Sequence, residues 1–180
     1  MSKGMTHDAF ESAVQRHQRK VFTFARYLLS NREEAEDVTQ EVLVRLWNHL
    51  DAVAPERLGG WLLKVTRNLC YDRMRTLRSA GRFLSATPSA SDMEDVPARQ
   101  PDPEILAGSS QIGRRIVEAM GQLSEPQRSA VILREVQGLS YREIADALEL
   151  TESTVRVTLH RGRRALRQRL EEVRHGAATA

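Results

Sequence analysis

The stretch from Ser140 to Arg169, SYREIADALELTESTVRVTLHRGRRALRQR, constrains this chain more than any other. Ser140 is a good N-cap, and Glu143 sits three residues on to complete a capping box. Leu139 and Ile144 can form the hydrophobic staple. Ile144, Ala145 and Leu148 give this first helix one apolar face. Thr151 then caps a second helix whose inward positions are Val155, Leu159 and Leu166. Two short helices with this spacing make a helix-turn-helix, in which the N-terminal part of the second helix enters a DNA major groove. Between Ser153 and Leu170 the second helix carries six arginines (Arg156, Arg161, Arg163, Arg164, Arg167 and Arg169) and no acid. The bland alternative is a helical hairpin with a solvated arginine face. Like charges at i,i+4 repel, so such a helix is poor for stability alone. A polyanionic partner resolves that conflict, and the segment reads as a DNA-binding element.

Composition sets limits on the rest. At 180 residues the chain holds one ordinary domain or two small ones. The net charge is only +3, so the arginines form local patches in a protein that is not uniformly basic. Of the 27 basic residues only Lys3, Lys20 and Lys64 are lysines, and arginine suits bidentate contacts to phosphate and guanine. The single cysteine, Cys70, precludes an internal disulfide and reads as a core residue. MSKGMTHDAF lacks the apolar core of a signal peptide, and no run has the length of a membrane span. A cytoplasmic protein without membrane insertion is expected.

Helical periodicity runs almost unbroken to residue 80, and no segment shows sustained strand alternation. Residues 81–108 hold four of the six prolines, several serines and a net acidic balance, a composition that buries little. The helical pattern resumes at Ser109. The expected fold is all-α, with two small helical domains (1–80 and 109–175), a flexible acidic linker (81–108) and a short tail (176–180).

In the first domain, Ser30 to Leu50 is the clearest helix. Ser30 and Glu33 suggest a second capping box, and acids crowd the first turns, where the helix dipole favours them. Ala35, Val38, Val42, Leu46 and Leu50 define its buried stripe. Asp37, Gln40, Glu41, Val44 and Asn48 lie on another face, which is either solvated surface or, with Val44 and Trp47 among the acids, a protein-docking surface. A further helix is expected from near Gly60, with Trp61, Leu62, Val65, Leu69 and Leu77 buried. Lys64, Arg67, Asn68, Arg73, Arg75 and Arg78 would line the remainder. Eight of the nine aromatics fall before residue 84. Rings beside a basic helix suit single-stranded DNA, although most of these rings would fill a small core.

Two blocks together resemble a known family. EEAEDVTQEVLVRLW followed by GGWLLKVTRNLCYDRMR looks like region 2 of bacterial sigma factors. LSEPQRSAVILREVQGLSYREIADALELTESTVRVTLHRGRRAL looks like their region 4. With nothing like region 3 between them, the chain is similar to the extracytoplasmic-function (ECF) group. The resemblance implies a promoter-specificity subunit of RNA polymerase. Asp37, Gln40 and Glu41, with Arg45 and Trp47 at the edge, match the face that docks on the β′ clamp helices, and region 4 would meet the β flap. Asp51 to Gly60 and the helix through Asn68 match the part that opens the −10 element and holds flipped bases. Arg57, Trp61, Arg67, Asn68 and Arg75 are its candidates. Extruding a base costs a few kcal/mol, which stacking and phosphate contacts must offset. Arg134, Ser153, Thr154, Arg156, Val157, His160 and Arg161 match positions that meet the −35 duplex. Promoter DNA, the polymerase core and an anti-sigma factor are the implied partners. The acidic linker matches a segment that runs through the RNA exit path.

The sequence also departs from the family. Glu149 stands where many relatives carry glycine in the turn, so a positive φ there would strain it. Ser153 likewise replaces a common glycine, and Val157, Thr158 and His160 are unusual for their places. No histidine or cysteine shows metal-ligand spacing, and no phosphate loop or nucleophile–base pair is evident, so neither an enzyme nor a cofactor is expected. Two other readings are a stand-alone regulator that binds paired half-sites as a dimer and a sigma mimic that sequesters an anti-sigma factor. No dimerisation heptad supports the first. Arg67, Arg75, Arg156 and Arg161 would be useless to the second.

Overall fold

Among the residues that the computed structural model describes, 3–84 and 111–176, every regular element is helical. The linker and tail expectations fall almost wholly outside those residues. The N-terminal domain has three helices, α1 (Lys3–Leu29), α2 (Arg32–His49) and α3 (Leu58–Leu84). Two single 3-10 turns, Leu50–Ala52 and Pro55–Arg57, join α2 to α3. Its core gathers Val21, Phe24, Leu28, Val38, Val42, Leu46, Leu62 and Leu69 between the three helices, with Cys70 fully enclosed. Burial raises the Cys70 thiol pKa far above the ordinary range.

Ala35, Val38, Val42 and Leu46 of the α2 stripe are buried as their periodicity requires, whereas Leu50 falls in the following 3-10 turn and is half-buried; the start of α2 also differs from expectation. Ser30 adopts the left-handed region, φ 53°, and its amide donates to Arg26 O, so it terminates α1. Asn31 is the N-cap, its Oδ1 accepting from the Glu34 amide at 3.0 Å. Both residues can cap, and the chain reversal after α1 decides between them. Helix α3 begins at Leu58, two residues before the expected start. Leu77 is 42% exposed and not buried, because by its last turns α3 has run past its partners.

The C-terminal domain contains α4 (Gln111–Gly121), α5 (Glu125–Val131), α6 (Tyr141–Leu148) and α7 (Glu152–Gly176). After α5 the chain widens into one π turn, Ile132–Val136, in which the Gln137 amide reaches Ile132 O. Gly138 closes that turn at φ +70°. The capping box of α6 is complete, with Ser140 Oγ accepting from the Glu143 amide and Glu143 Oε2 accepting from the Ser140 amide at 2.8 Å. That second bond holds the Glu143 carboxyl below its ordinary pKa. Helix α6 ends on Glu149 at φ 57°, ψ 44°, the strained turn position expected from sequence. Thr151 Oγ1 then accepts from the Thr154 amide to start α7. Val155 and Leu159 of α7 are buried against α5 and α6. Gly162 permits the closest approach, since a Cβ there would sit 2.9 Å from Val131 Cγ2.

Candidate nucleic-acid interface

Three surfaces carry the residues singled out from sequence. The first is the outer face of α2. Asp37 and Gln40 are exposed and Glu41 half-buried, while Val44 is 60% and Trp47 48% exposed. Trp47 is steadied from one side by Phe10 of α1, edge-on at 5.1 Å. Arg45 pairs with Glu41 at 2.8 Å. A further cation, with no local signature in α2, joins this face: Arg73 of α3 reaches Glu34 at 2.9 Å, Asp37 at 3.4 Å and Glu41 at 3.9 Å. The hydrogen bond to Glu34 is the main reason its pKa rises. One guanidinium thus holds three like charges on one helix face and fixes the outer carboxylates in place.

The second surface is a stripe along α3. Trp61, Lys64, Arg67 with Asn68, Tyr71 and Arg75 recur every three or four residues, so they share one side of the helix. This stripe meets the other domain. Lys64 pairs with Glu149 at 2.7 Å, and Arg67 donates to Leu148 O at 2.9 Å. The Tyr71 hydroxyl lies 2.8 Å from Glu125 O and 2.7 Å from Ser129 Oγ. Burial raises the Tyr71 pKa well above its usual value. Arg128 of α5 closes the contact from the far side, donating to Tyr27 O at 2.7 Å and Ser30 Oγ at 3.1 Å. At Gly60 a Cβ would meet Asp146 Cβ of α6 at 3.4 Å. Of the −10 candidates, Arg57, Asn68 and Arg75 remain exposed, whereas Trp61 and Arg67 are half-buried. Asn68 Oδ1 accepts from Arg67 at 3.2 Å, and Arg75 pairs with Asp72 at 3.1 Å. A cleft of about 1080 Å³ opens between the domains, with Arg57, Trp61 and Lys64 on one wall and Arg142 and Asp146 on the other.

The third surface is the first half of α7. Ser153, Thr154, Arg156, Val157, His160 and Arg161 are all exposed, with Val157 at 49%. Arg163, Arg164, Arg167 and Arg169 are exposed too. Two of them have acidic partners that the run of sequence concealed. Arg163 binds Glu135 at 2.6 Å and Arg169 binds Glu172 at 3.3 Å. Arg134 is half-buried, its guanidinium donating to Leu139 O at 2.7 Å.

The fold is therefore that of a two-domain helical protein with an exposed helix-turn-helix and an acidic α2 face. The family model for Sigma-70 region 2 matches residues 13–82, and that for Sigma-70, region 4 matches residues 113–166. The ECF RNA polymerase sigma factor SigE of Mycolicibacterium smegmatis is 35% identical over 173 residues, which are 96% of this chain and 65% of that relative. SigX of Bacillus subtilis is 31% identical over 170 residues, 93% of this chain and 86% of its own length. In fold, the chain is similar to the sigma factor RpoE of Bartonella quintana in complex with the anti-sigma factor NepR. The TM-score is 0.68 at 24% identity, covering 90% of this chain and 96% of that one. CnrH, solved in complex with the cytosolic domain of CnrY, gives a TM-score of 0.66 at 24% identity, covering 92% of this chain and 90% of that one. The chain belongs to the ECF group of RNA polymerase sigma factors, the promoter-recognition subunits of that enzyme. Among the described residues no helix is long and apolar enough to cross a membrane.

Proposed function

We propose that this sigma factor divides its work among the three surfaces. The α2 face with Asp37, Gln40, Glu41, Arg45 and Trp47 docks on the β′ clamp helices of core polymerase. The α7 face reads the −35 duplex, with Arg156 and Arg161 on guanine or phosphate, Ser153, Thr154, Val157 and His160 beside them, and Arg134 on the backbone. The α3 stripe with Arg57, Trp61, Arg67, Asn68 and Arg75 captures the opened −10 strand by stacking and phosphate contact. The protein acts in the cytoplasm by binding, not by catalysis.

The observation that carries this reading is the contrast between the two DNA faces. The −35 face stands open, whereas Arg67 and Tyr71 of the −10 stripe are engaged by the C-terminal domain. Helices α6 and α5 pack on α3 and leave the α7 face outward. In the free chain the −10 face is partly covered at Arg67 and Tyr71, and docking on polymerase spreads the domains and frees it. The anti-sigma factor bound to the structurally similar RpoE supports an anti-sigma partner for this chain.

The test is promoter-specific transcription with purified core polymerase. Asp37→Arg with Glu41→Arg should abolish core binding while helicity stays near that of the parent and melting falls modestly, because both carboxylates pair with Arg73. Asn68→Ala should leave −35 duplex binding intact and reduce permanganate reactivity of −10 thymines. Arg156→Ala should weaken −35 binding by about 1–3 kcal/mol. Core binding retained by the α2 double variant, or −35 binding lost in Asn68→Ala, refutes the division.

A further inference from the structure

Tyr141 is the single aromatic residue after Phe83, and it does not lie in the core of its domain. It is the first residue of α6, half-buried, directly after the Ser140 cap. Two guanidiniums from different elements sit over its ring. Arg134 Cζ, from the π turn after α5, is 5.2 Å from the ring centroid, and Arg156 Cζ, from α7, is 5.7 Å away. Both distances fall within the range in which the ring quadrupole attracts a cation. Arg163, about two turns further along α7 than Arg156, is tied to Glu135 at 2.6 Å beside the same group. The hydrogen bond to Glu135 is the main reason the pKa of Arg163 rises.

Left to themselves, Arg134 and Arg156 repel, and each long side chain loses rotamer freedom when it is held. The ring reduces both penalties. It offers each guanidinium a face with negative potential, and it does so from a helix whose start is fixed by the capping box. Arg134 is further held by Leu139 O, the carbonyl two residues before the tyrosine. Among the described residues Arg156 makes no hydrogen bond or ion pair, so the ring is its principal restraint. The turn, the first helix and the recognition helix of the motif thereby meet at one ring.

We propose that Tyr141 is a positioning residue for −35 recognition, an aromatic platform that sets Arg134 and Arg156 in a common register before DNA arrives. This rests on the assignment of the α7 face to the −35 duplex. Tyr141 need not touch a base. Its effect is to present a phosphate-facing and a groove-facing guanidinium as a fixed pair, so that neither has to be ordered on binding.

The probe is a short duplex selected by the parent chain from a randomised pool, with affinities measured for the full-length protein. Tyr141→Leu should weaken binding roughly five- to twenty-fold, whereas Tyr141→Phe, which keeps the ring, should stay within about two-fold. In an Arg156→Ala background the Tyr141→Leu loss should shrink to a fraction of its size, because the groups are coupled. A merely structural tyrosine would give additive losses. Independently of DNA, the Arg156 side-chain resonances of the free protein should lose their ring-current shift in Tyr141→Leu and keep it in Tyr141→Phe. Phenylalanine as damaging as leucine, additive losses, or no ring-current shift in the parent overturns the proposal. If Arg156→Ala itself leaves binding unchanged, the −35 assignment falls and the proposal falls with it. If Tyr141→Leu alone is silent while Arg156→Ala is not, only the platform falls.

Discussion

Closure of the −10 stripe can be loosened by one atom. Tyr71→Phe removes the hydroxyl that links α3 to α5. That hydroxyl donates to Glu125 O at 2.8 Å and accepts from Ser129 at 2.7 Å, the only arrangement that satisfies all three groups at once. A neutral hydrogen bond contributes about 0.5–1.5 kcal/mol net. Ser129, itself fully buried, can turn back to Glu125 O four residues earlier, so little orphan penalty remains in the variant. Two bonds lost with that fallback give about 1–2 kcal/mol, or a five- to thirty-fold shift from closed to open. Neither domain loses a core contact, so melting should change little. The assay is single-pair energy transfer between dyes on Asp8→Cys and Gln168→Cys, both exposed positions. The buried Cys70, with its thiol pKa pushed up, should stay unlabelled. At salt concentrations where the parent is partly open, the ratio of low-transfer to high-transfer molecules should grow by that factor. Ser129→Ala should reproduce the shift, and the double variant should add little to either. An unchanged distribution in Tyr71→Phe, or fully additive single losses, would refute the bond chain as a latch.

Gly162→Ala should destabilise the C-terminal domain by about 1–3 kcal/mol despite its better helix propensity, because the new methyl meets Val131 at 2.9 Å; thermal melting reads this, and a stabilised variant would contradict it. Glu149→Gly should have a split outcome. It relieves the left-handed backbone and raises the melting temperature by a few degrees, yet removes the Lys64 pair and increases the open population. A lowered melting temperature, or an unchanged open population, would contradict the assignment. Ser140→Ala should cost about 0.5–2 kcal/mol through loss of the α6 cap. Glu143 works with that cap and has a depressed folded pKa, so its stabilisation is present above the ordinary glutamate range and fades as pH falls through the lowered value. Glu143→Gln should therefore flatten the acid limb of the stability curve, and an unchanged limb would count against the box.

Local order was written in the sequence because it depends on neighbours a few residues apart. The capping box at Ser140, the Thr151 cap, the strained Glu149 turn and the buried stripe Ala35, Val38, Val42 and Leu46 all follow from 3.6-residue periodicity and side chains within one turn. The exposure of the α7 reading face follows equally, since Val155 and Leu159 can point only one way. Tertiary structure decided whatever joins distant residues. Ser30 and Asn31 could each cap α2, and the end of α1 chose Asn31. Arg73 lies 36 residues from Asp37, so its grip on the acidic face has no periodic signature. Tyr71 and Ser129 are 58 residues apart, and Arg67 and Leu148 are 81 apart. Periodicity marked the α3 stripe as a face that binds something. It could not say that, in the free chain, the bound thing is the other half of the same protein, because only folding brings those residues within reach.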